Sequence, residues 1–345
     1  MRRYSINKYN DNRVMLRTFV IALSLIALLT ACDSKQEGKK KAAVAKSTTI
    51  SAPYELLVVA DKEWLKGPYG TAMMDAVNAH IPGLTQPESN FRVTSINPRD
   101  LNGTFKVYAN MIYVDIDPKH KEAKMTIARD VYVKPQIVLN LQAPDNNAFA
   151  DLVRRGGEQI VDVFVNAELG RERSYLTSVH SGVVLDAVKK KFGYTVYAPQ
   201  NLDAINKNGK DFIWSSDNKR ENLLNFCIYT YPYTSDSTFT LAYFAGKRDS
   251  VMKINVQGER SDQYMVTERR SLSAKMQKGK NGPVYAVRGL WEMENDMMGG
   301  PFVSYSQIDT TKNIVVVTEG FIYAPEKRKR DYIREMEAAL QTLEM

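Results

Sequence analysis

Ile314 to Leu340 reads IVVVTEGFIYAPEKRKRDYIREMEAAL, and this stretch sets the class of fold. Ile314 to Tyr323 is rich in β-branched and aromatic residues, which predicts a strand. Ala324-Pro325-Glu326 then puts a proline at a helix start and an acid in its first turn. Beyond it Tyr332, Ile333, Met336, Ala339, Leu340 and Leu343 recur at i, i+1, i+4, i+7, i+8 and i+11, a single apolar stripe along a helix. Lys327, Arg328, Arg330, Arg334 and Glu337 fall opposite that stripe and are expected to form a solvated face. A strand leading into an amphipathic helix calls for a helix laid on a sheet.

The same signals recur upstream. Strands are expected at Tyr54 to Ala60, Phe91 to Ile96, Lys106 to Ile116, Lys124 to Val131 and Gln136 to Leu141, with a helix through Met73, Met74 and Val77. Asp145 is placed to cap a helix running to about Glu168, and a second helix runs from about Arg171 to Phe192 and stops at Gly193. The second half reads as strands at Tyr194 to Ala198, Phe212 to Ser215, Leu223 to Tyr231, Gln263 to Arg269, Val284 to Met293 and Phe302 to Ile308, with a helix across about Phe239 to Lys253. The expected fold is α+β: two mainly antiparallel sheets with helices packed on their faces, an N-terminal domain at 51–192 and a C-terminal one at 193–345. Each half carries an Ile-Asp hairpin (Ile116-Asp117, Ile308-Asp309) and an Ala-Pro-acid helix start (Ala143-Pro144-Asp145, Ala324-Pro325-Glu326). Tandem duplication and local convergence both account for that.

The net charge of +8 is unevenly spread. Residues 1–31 hold +4, residues 32–50 hold +3, and the remaining body holds +1. A nearly neutral body has no broad cationic field for a phosphate backbone, so nucleic acid is not an expected partner.

Arg13 and Arg17 precede the apolar run FVIALSLIALL, Phe19 to Leu29, which is short of the roughly 20 residues a membrane span needs. A basic region, a short apolar run and then Leu29-Thr30-Ala31-Cys32 resemble a bacterial lipobox, so 1–31 is expected to be a lipoprotein signal peptide and Cys32 the lipidated residue. Met15 offers a second translation start. More than one acyl chain gives stable anchoring. The polar stretch Asp33 to Ile50 reads as a Lys-rich tether, completing a 32–50 segment with a mean reach of roughly 23 Å.

Chemical motifs are sparse. Cys227 sits between Phe226 and Ile228 and is expected to be a buried, unreactive thiol. His80, His120 and His180 lack metal-site spacing, and there is no G-x-S-x-G elbow, phosphate loop or dinucleotide fingerprint, so neither metal nor cofactor is expected. One stretch stands out, RGLWEMENDMMGGPF from Arg288 to Phe302. It can be a plain hairpin with Trp291 in the core and Gly299-Gly300 supplying positive φ. It can also be a binding rim made of Arg288, Trp291, Glu292, Asp296, Gly299 and Gly300 with Glu268 nearby, Arg288 and Glu292 forming a charge pair at i, i+4.

That stretch, together with KRDSV (Lys247 to Val251), DQYMVTE (Asp262 to Glu268) and EGFIYAPEKRKRDYIREMEAAL (Glu319 to Leu340), resembles a Bacteroidetes lipoprotein family catalogued as domain of unknown function 4837, over nearly the whole chain after Cys32. The resemblance implies an envelope lipoprotein and brings no catalytic residues. The second half is also similar, by fold analogy, to the PsbP-like antiparallel sandwich. The expected function is a non-catalytic binding or assembly module, anchored through Cys32 and facing the periplasm from the outer membrane, with an envelope protein or small ligand as partner. The mixed sequence Asp33-Ser34-Lys35-Gln36 favours the inner leaflet over the cell surface. The alternative is a periplasmic hydrolase of glycan or peptide that draws acid and base from Glu268, Glu292 and Asp296, with Arg288 holding an anion.

Overall fold

A computed structural model describes residues 48–217 and 223–345. The expected signal peptide, Cys32 and most of the expected tether lie outside the described residues.

The first half is built from β1 (Glu55–Val59), the helices α1 (Lys62–Lys66) and α2 (Pro68–Val77), β2 (Arg92–Ile96), the short α3 (Gly103–Lys106), β3 (Asn110–Ile116), β4 (Lys124–Arg129) and β5 (Ile137–Ala143). Its sheet runs β2-β1-β3-β5-β4, and only β4 is antiparallel to its neighbour. The expectation of a mainly antiparallel first sheet is therefore corrected. The physical reason is visible in β1, where Leu56, Leu57, Val58 and Val59 are all 0% exposed. A strand buried on both faces reads as an unbroken apolar run, the habit of parallel strands, whereas a half-solvated antiparallel strand alternates. One face packs on α2 and on α4 (Asn146–Ser178); the other is covered by Leu101, Phe105 and Tyr108.

Asp145 caps α4 by accepting from the Ala148 amide at 2.9 Å. The helix then runs for 33 residues without the expected interruption near Glu168, because Phe149, Val153, Ile160, Phe164 and Leu169 keep one buried stripe across that point. The break falls later, where Ser181 caps α5 (Gly182–Phe192) by accepting from Val184, and Gly193 closes it at φ 80°. Tyr194 to Ala198, expected as a strand, forms one isolated bridge, Thr195 with Glu344.

The second half contributes β6 (Ala204–Gly209), β7 (Phe212–Ser216), β8 (Leu223–Pro232), α6 (Leu241–Asn255), β9 (Met265–Gly279), β10 (Gly282–Met293), β11 (Gly299–Asp309), β12 (Ile314–Tyr323) and α7 (Arg330–Leu340). These strands form an antiparallel sheet in the order β6-β7-β8-β12-β11-β10-β9. The two halves thus differ in strand order and direction, which argues against a repeated unit, and the Ala-Pro-acid match is not a shared helix start: Asp145 caps α4, whereas Ala324-Pro325-Glu326 forms a turn with Glu326 at φ 60° and α7 begins only at Arg330. Phe244 and Met252 of α6 pack on one face against Phe302 and Trp291; α5 and α7 cover the other through Val188, Ile333, Met336 and Leu340. Ala338 and Ala339 of α7 also join the core of the first half, so the last helix is shared by both cores. No helix among the described residues is long and apolar enough to cross a membrane.

That sharing corrects the expected solvated face of α7. Lys327 and Arg328 are exposed, but Arg330, Arg334 and Glu337 are buried, since a helix wedged between two cores has no free side there.

Candidate functional site

The Arg288 to Phe302 hairpin does not assemble a rim. β10 and β11 pair from Tyr285 opposite Ser306 to Glu292 opposite Gly299, which puts Arg288 and Glu292 on one face. The Arg288 guanidinium nevertheless turns to α7 and pairs with Glu337, while Glu292 is exposed. Trp291 is core: its Nε1 donates to the Ile322 carbonyl at 3.2 Å, and its ring meets Phe321 edge-on. Asp296 accepts from Gln263 Nε2 at 2.8 Å and from the Met297 amide at 2.6 Å. Glu268 accepts from Arg270 Nε at 2.9 Å, and that bond holds its carboxyl below the usual carboxylate range. A general acid at neutral pH needs the opposite shift.

The glycine pair has a different duty from the one expected. Positive φ in this turn belongs to Asn295, at 55°, not to Gly299 or Gly300. Gly300 is required by crowding: a Cβ there would lie 1.9 Å from the Ile322 carbonyl oxygen on the neighbouring strand.

What the fold does bring together is a cleft of about 530 Å³ between α4, the β9 edge and the end of α7. Its floor is Tyr305 and Gln307, alternate residues of β11 that face the same side, with Gln277 from β9. Asn166 and Arg173 rise from α4, and Arg173 donates to Gln341 across the cleft. Lys275, Lys278 and Lys280 stand at the β9 side. Among the described residues the one carboxylate lining the cleft is Asp162, which lies 3.5 Å from Lys275 Nζ.

Behind the floor sits a buried ionic cluster. Tyr305 donates its hydroxyl to Glu337 Oε1 at 3.1 Å and accepts from Gln341 Nε2 at 3.2 Å. Glu337 also accepts from Arg334 Nη1 at 2.6 Å and from Arg288. Burial alone would raise the Glu337 carboxyl; the two guanidiniums outweigh it and draw it down to about 2. Arg334 reaches the Asn90 side chain and lies over the Tyr54 ring. Arg288 Nη1, Arg334 Nε and the Tyr54 hydroxyl are buried without a hydrogen-bond partner among the described residues. Burial first, and then the Glu337 carboxylate, which acts more strongly there than the Arg288 guanidinium, pushes the Tyr305 hydroxyl upward. Farther along α4, Glu168 is matched by Arg171 and Asn110, and the Glu172 carboxyl is raised by burial and then by Glu168.

Among the described residues the nucleotide crevice, the histidines and the cysteine offer no open site. In the first sheet the order reverses between β1 and β3, the crevice where open α/β sheets take nucleotides. Here the helix starts beside it are already capped by Asp61 and Asp145, and Trp64 Nε1 is tied to Asn146 at 2.8 Å. An acid on each helix start disfavours a phosphate. His120 bonds Asp115 at 2.9 Å, and no metal-holding group of His, Cys, Asp and Glu occurs among the described residues. Cys227 is fully buried; burial first, then Glu319, pushes its thiol well up.

Sequence reading missed Tyr305, Gln307, Gln277 and Arg173. The alternation Val303, Tyr305, Gln307 marks a single strand face, but nothing local couples it to a helix far upstream in the chain.

Compared with known families, residues 182–342 match domain of unknown function DUF4837, and residues 49–177 match a second domain of unknown function, DUF8532. The first match begins at the start of α5 and spans the antiparallel sheet. The second covers the parallel sheet and nearly all of α4. The likeness to the first family is therefore confined to the second half rather than running along the chain. No curated protein matches the chain.

Proposed function

We propose that the protein is an envelope lipoprotein, lipidated on Cys32 and held by a tether at the outer membrane facing the periplasm, whose body is a non-catalytic binding module. Its source is a bacterium of the Bacteroidetes type, and the antiparallel half is its PsbP-like portion. The observation that carries the binding reading is the cleft floored by Tyr305 and Gln307. It is walled by amides and cations, and the one carboxylate lining it among the described residues, Asp162, lies 3.5 Å from Lys275 Nζ. Such a lining supplies hydrogen bonds and charge complementarity without a free acid and base. The lipobox order and the nearly neutral body support the anchored half of the reading.

Radiolabelled palmitate is expected to enter the wild-type chain and not the Cys32→Ala variant; labelling that persists in the variant overturns the anchor. Protease treatment of intact cells is expected to leave the body uncut, and its removal would place the protein on the cell surface instead. Recovery of a partner or ligand from the organism's own membranes is expected to fall with Arg173→Glu. Recovery unchanged by that variant moves the binding function away from the cleft.

A further inference from the structure

We infer that the ligand of this cleft is an acidic sugar: a small molecule, or the unit of a polymer, that carries a carboxylate beside several hydroxyl groups. The inference rests on the binding reading above and gives it a ligand class.

Charge is the first argument. Arg173, Lys275, Lys278 and Lys280 surround the cleft, against Asp162 and Glu344, the latter bound to Lys280. An anion is attracted to that cationic rim.

Charge alone would suit any anion; Gln307 narrows the class. Its side chain is 4% exposed, and its Oε1 is buried with no hydrogen-bond partner among the described residues. A buried acceptor left unmatched is costly, and a ligand hydroxyl that meets it as the amide turns toward the cleft recovers that cost. A simple carboxylate such as acetate has no donor to offer. Asn166 and Gln277 add further amide groups that pair with hydroxyls as both donor and acceptor. Among the described residues the one aromatic ring in the lining, that of Tyr305, is 1% exposed and presents no face for stacking, so a neutral sugar would lack its usual platform. The volume of about 530 Å³ accommodates a small ligand of one or two rings.

The test is titration calorimetry on the full chain in detergent with sodium glucuronate, glucose, sodium acetate and trigalacturonate. Glucuronate is expected to bind, with glucose and acetate each at least about tenfold weaker, and binding is expected to weaken as salt is added. Lys278→Glu, an exposed change that leaves the fold intact, and Gln307→Leu are each expected to weaken glucuronate about tenfold. Trigalacturonate tighter than glucuronate identifies a polymer-borne sugar, and the reverse order a free one; both support the proposal. Equal binding of glucose, equal binding of acetate, indifference to both variants, or no heat with any probe overturns it. Glucose binding that Gln307→Leu abolishes would remove the acid from the ligand and leave the binding module standing. Palmitate labelling of the same preparation reports the anchor separately.

Discussion

The Arg288 guanidinium on β10 pairs with the Glu337 carboxylate on α7, which also takes a hydrogen bond from Arg334 and one from the Tyr305 hydroxyl. The central antiparallel sheet and the shared last helix are thereby joined by a buried charge that also underlies the floor of the cleft. Taking Glu337 away leaves two buried guanidiniums uncompensated.

Glu337→Gln is therefore expected to cost about 3–5 kcal/mol at pH 7, read by urea or thermal unfolding. The pH dependence has a definite sign. The folded-state carboxyl is lowered to about 2, so its contribution is complete above the ordinary value of about 4.5 and is lost as pH falls toward 2. Wild-type stability should decline through that window, and the variant should lack this component. A variant as stable as wild type at pH 7 would show that the cluster is not structural.

Arg248 and Glu319 are both 0% exposed and joined by three hydrogen bonds, Nε to Oε1 at 3.0 Å, Nε to Oε2 at 3.1 Å and Nη2 to Oε1 at 2.8 Å, while Thr267 takes Nη1 and the Phe302 ring centre lies 4.1 Å from the guanidinium carbon. Arg248→Met alone is expected to destabilise by about 3–5 kcal/mol, because it strands a buried carboxylate. Arg248→Met with Glu319→Leu should recover most of that loss. A double variant as unstable as the single would show that packing, not charge, dominates the site.

Gly300→Ala is expected to prevent normal folding or to lower Tm steeply. The new methyl would meet the Ile322 carbonyl at 1.9 Å, and both partners are backbone in paired strands that cannot yield locally. Asn295→Gly, at the turn's positive φ, should be tolerated with little change. Circular dichroism melting of both variants checks the contrast.

Cys227 is expected to resist a maleimide or disulfide reagent in the folded protein, since its thiol is buried and shifted upward by that burial. Labelling should rise only with global unfolding, as followed by mass spectrometry across a urea series. Rapid labelling of native protein would contradict the packing of β8 against α6.

The secondary structure was legible wherever one local pattern sufficed. The stripe from Tyr332 to Leu343, the Asp145 cap, the stop at Gly193 and the buried Cys227 each rest on neighbours in the chain. Strand direction in the first sheet was signalled by the unbroken apolar run at β1, which fits a strand buried on both faces better than a half-solvated one. The helix break near Glu168 failed because buried residues on the far side of that point continue the same stripe.

The candidate site was not legible, for a specific reason. Arg334 and Glu337 are polar residues opposite an apolar stripe, and on a helix with one neighbour they would be solvated. Only the wedging of α7 between two cores buries them, and only the register of β10 with β11 brings Arg288 to the same carboxylate. The cleft likewise needs α4 laid beside β9, a contact between segments about a hundred residues apart in sequence. By itself the sequence determined the α+β class, the closing helix, the neutral body and the order of basic residues, apolar run, small residues and Cys32, all of which depend on composition and short spacing. The tertiary structure decided which charges are buried, which glycine is indispensable and where a ligand can sit, because burial is a property of what packs against a residue and not of the residue's own neighbours.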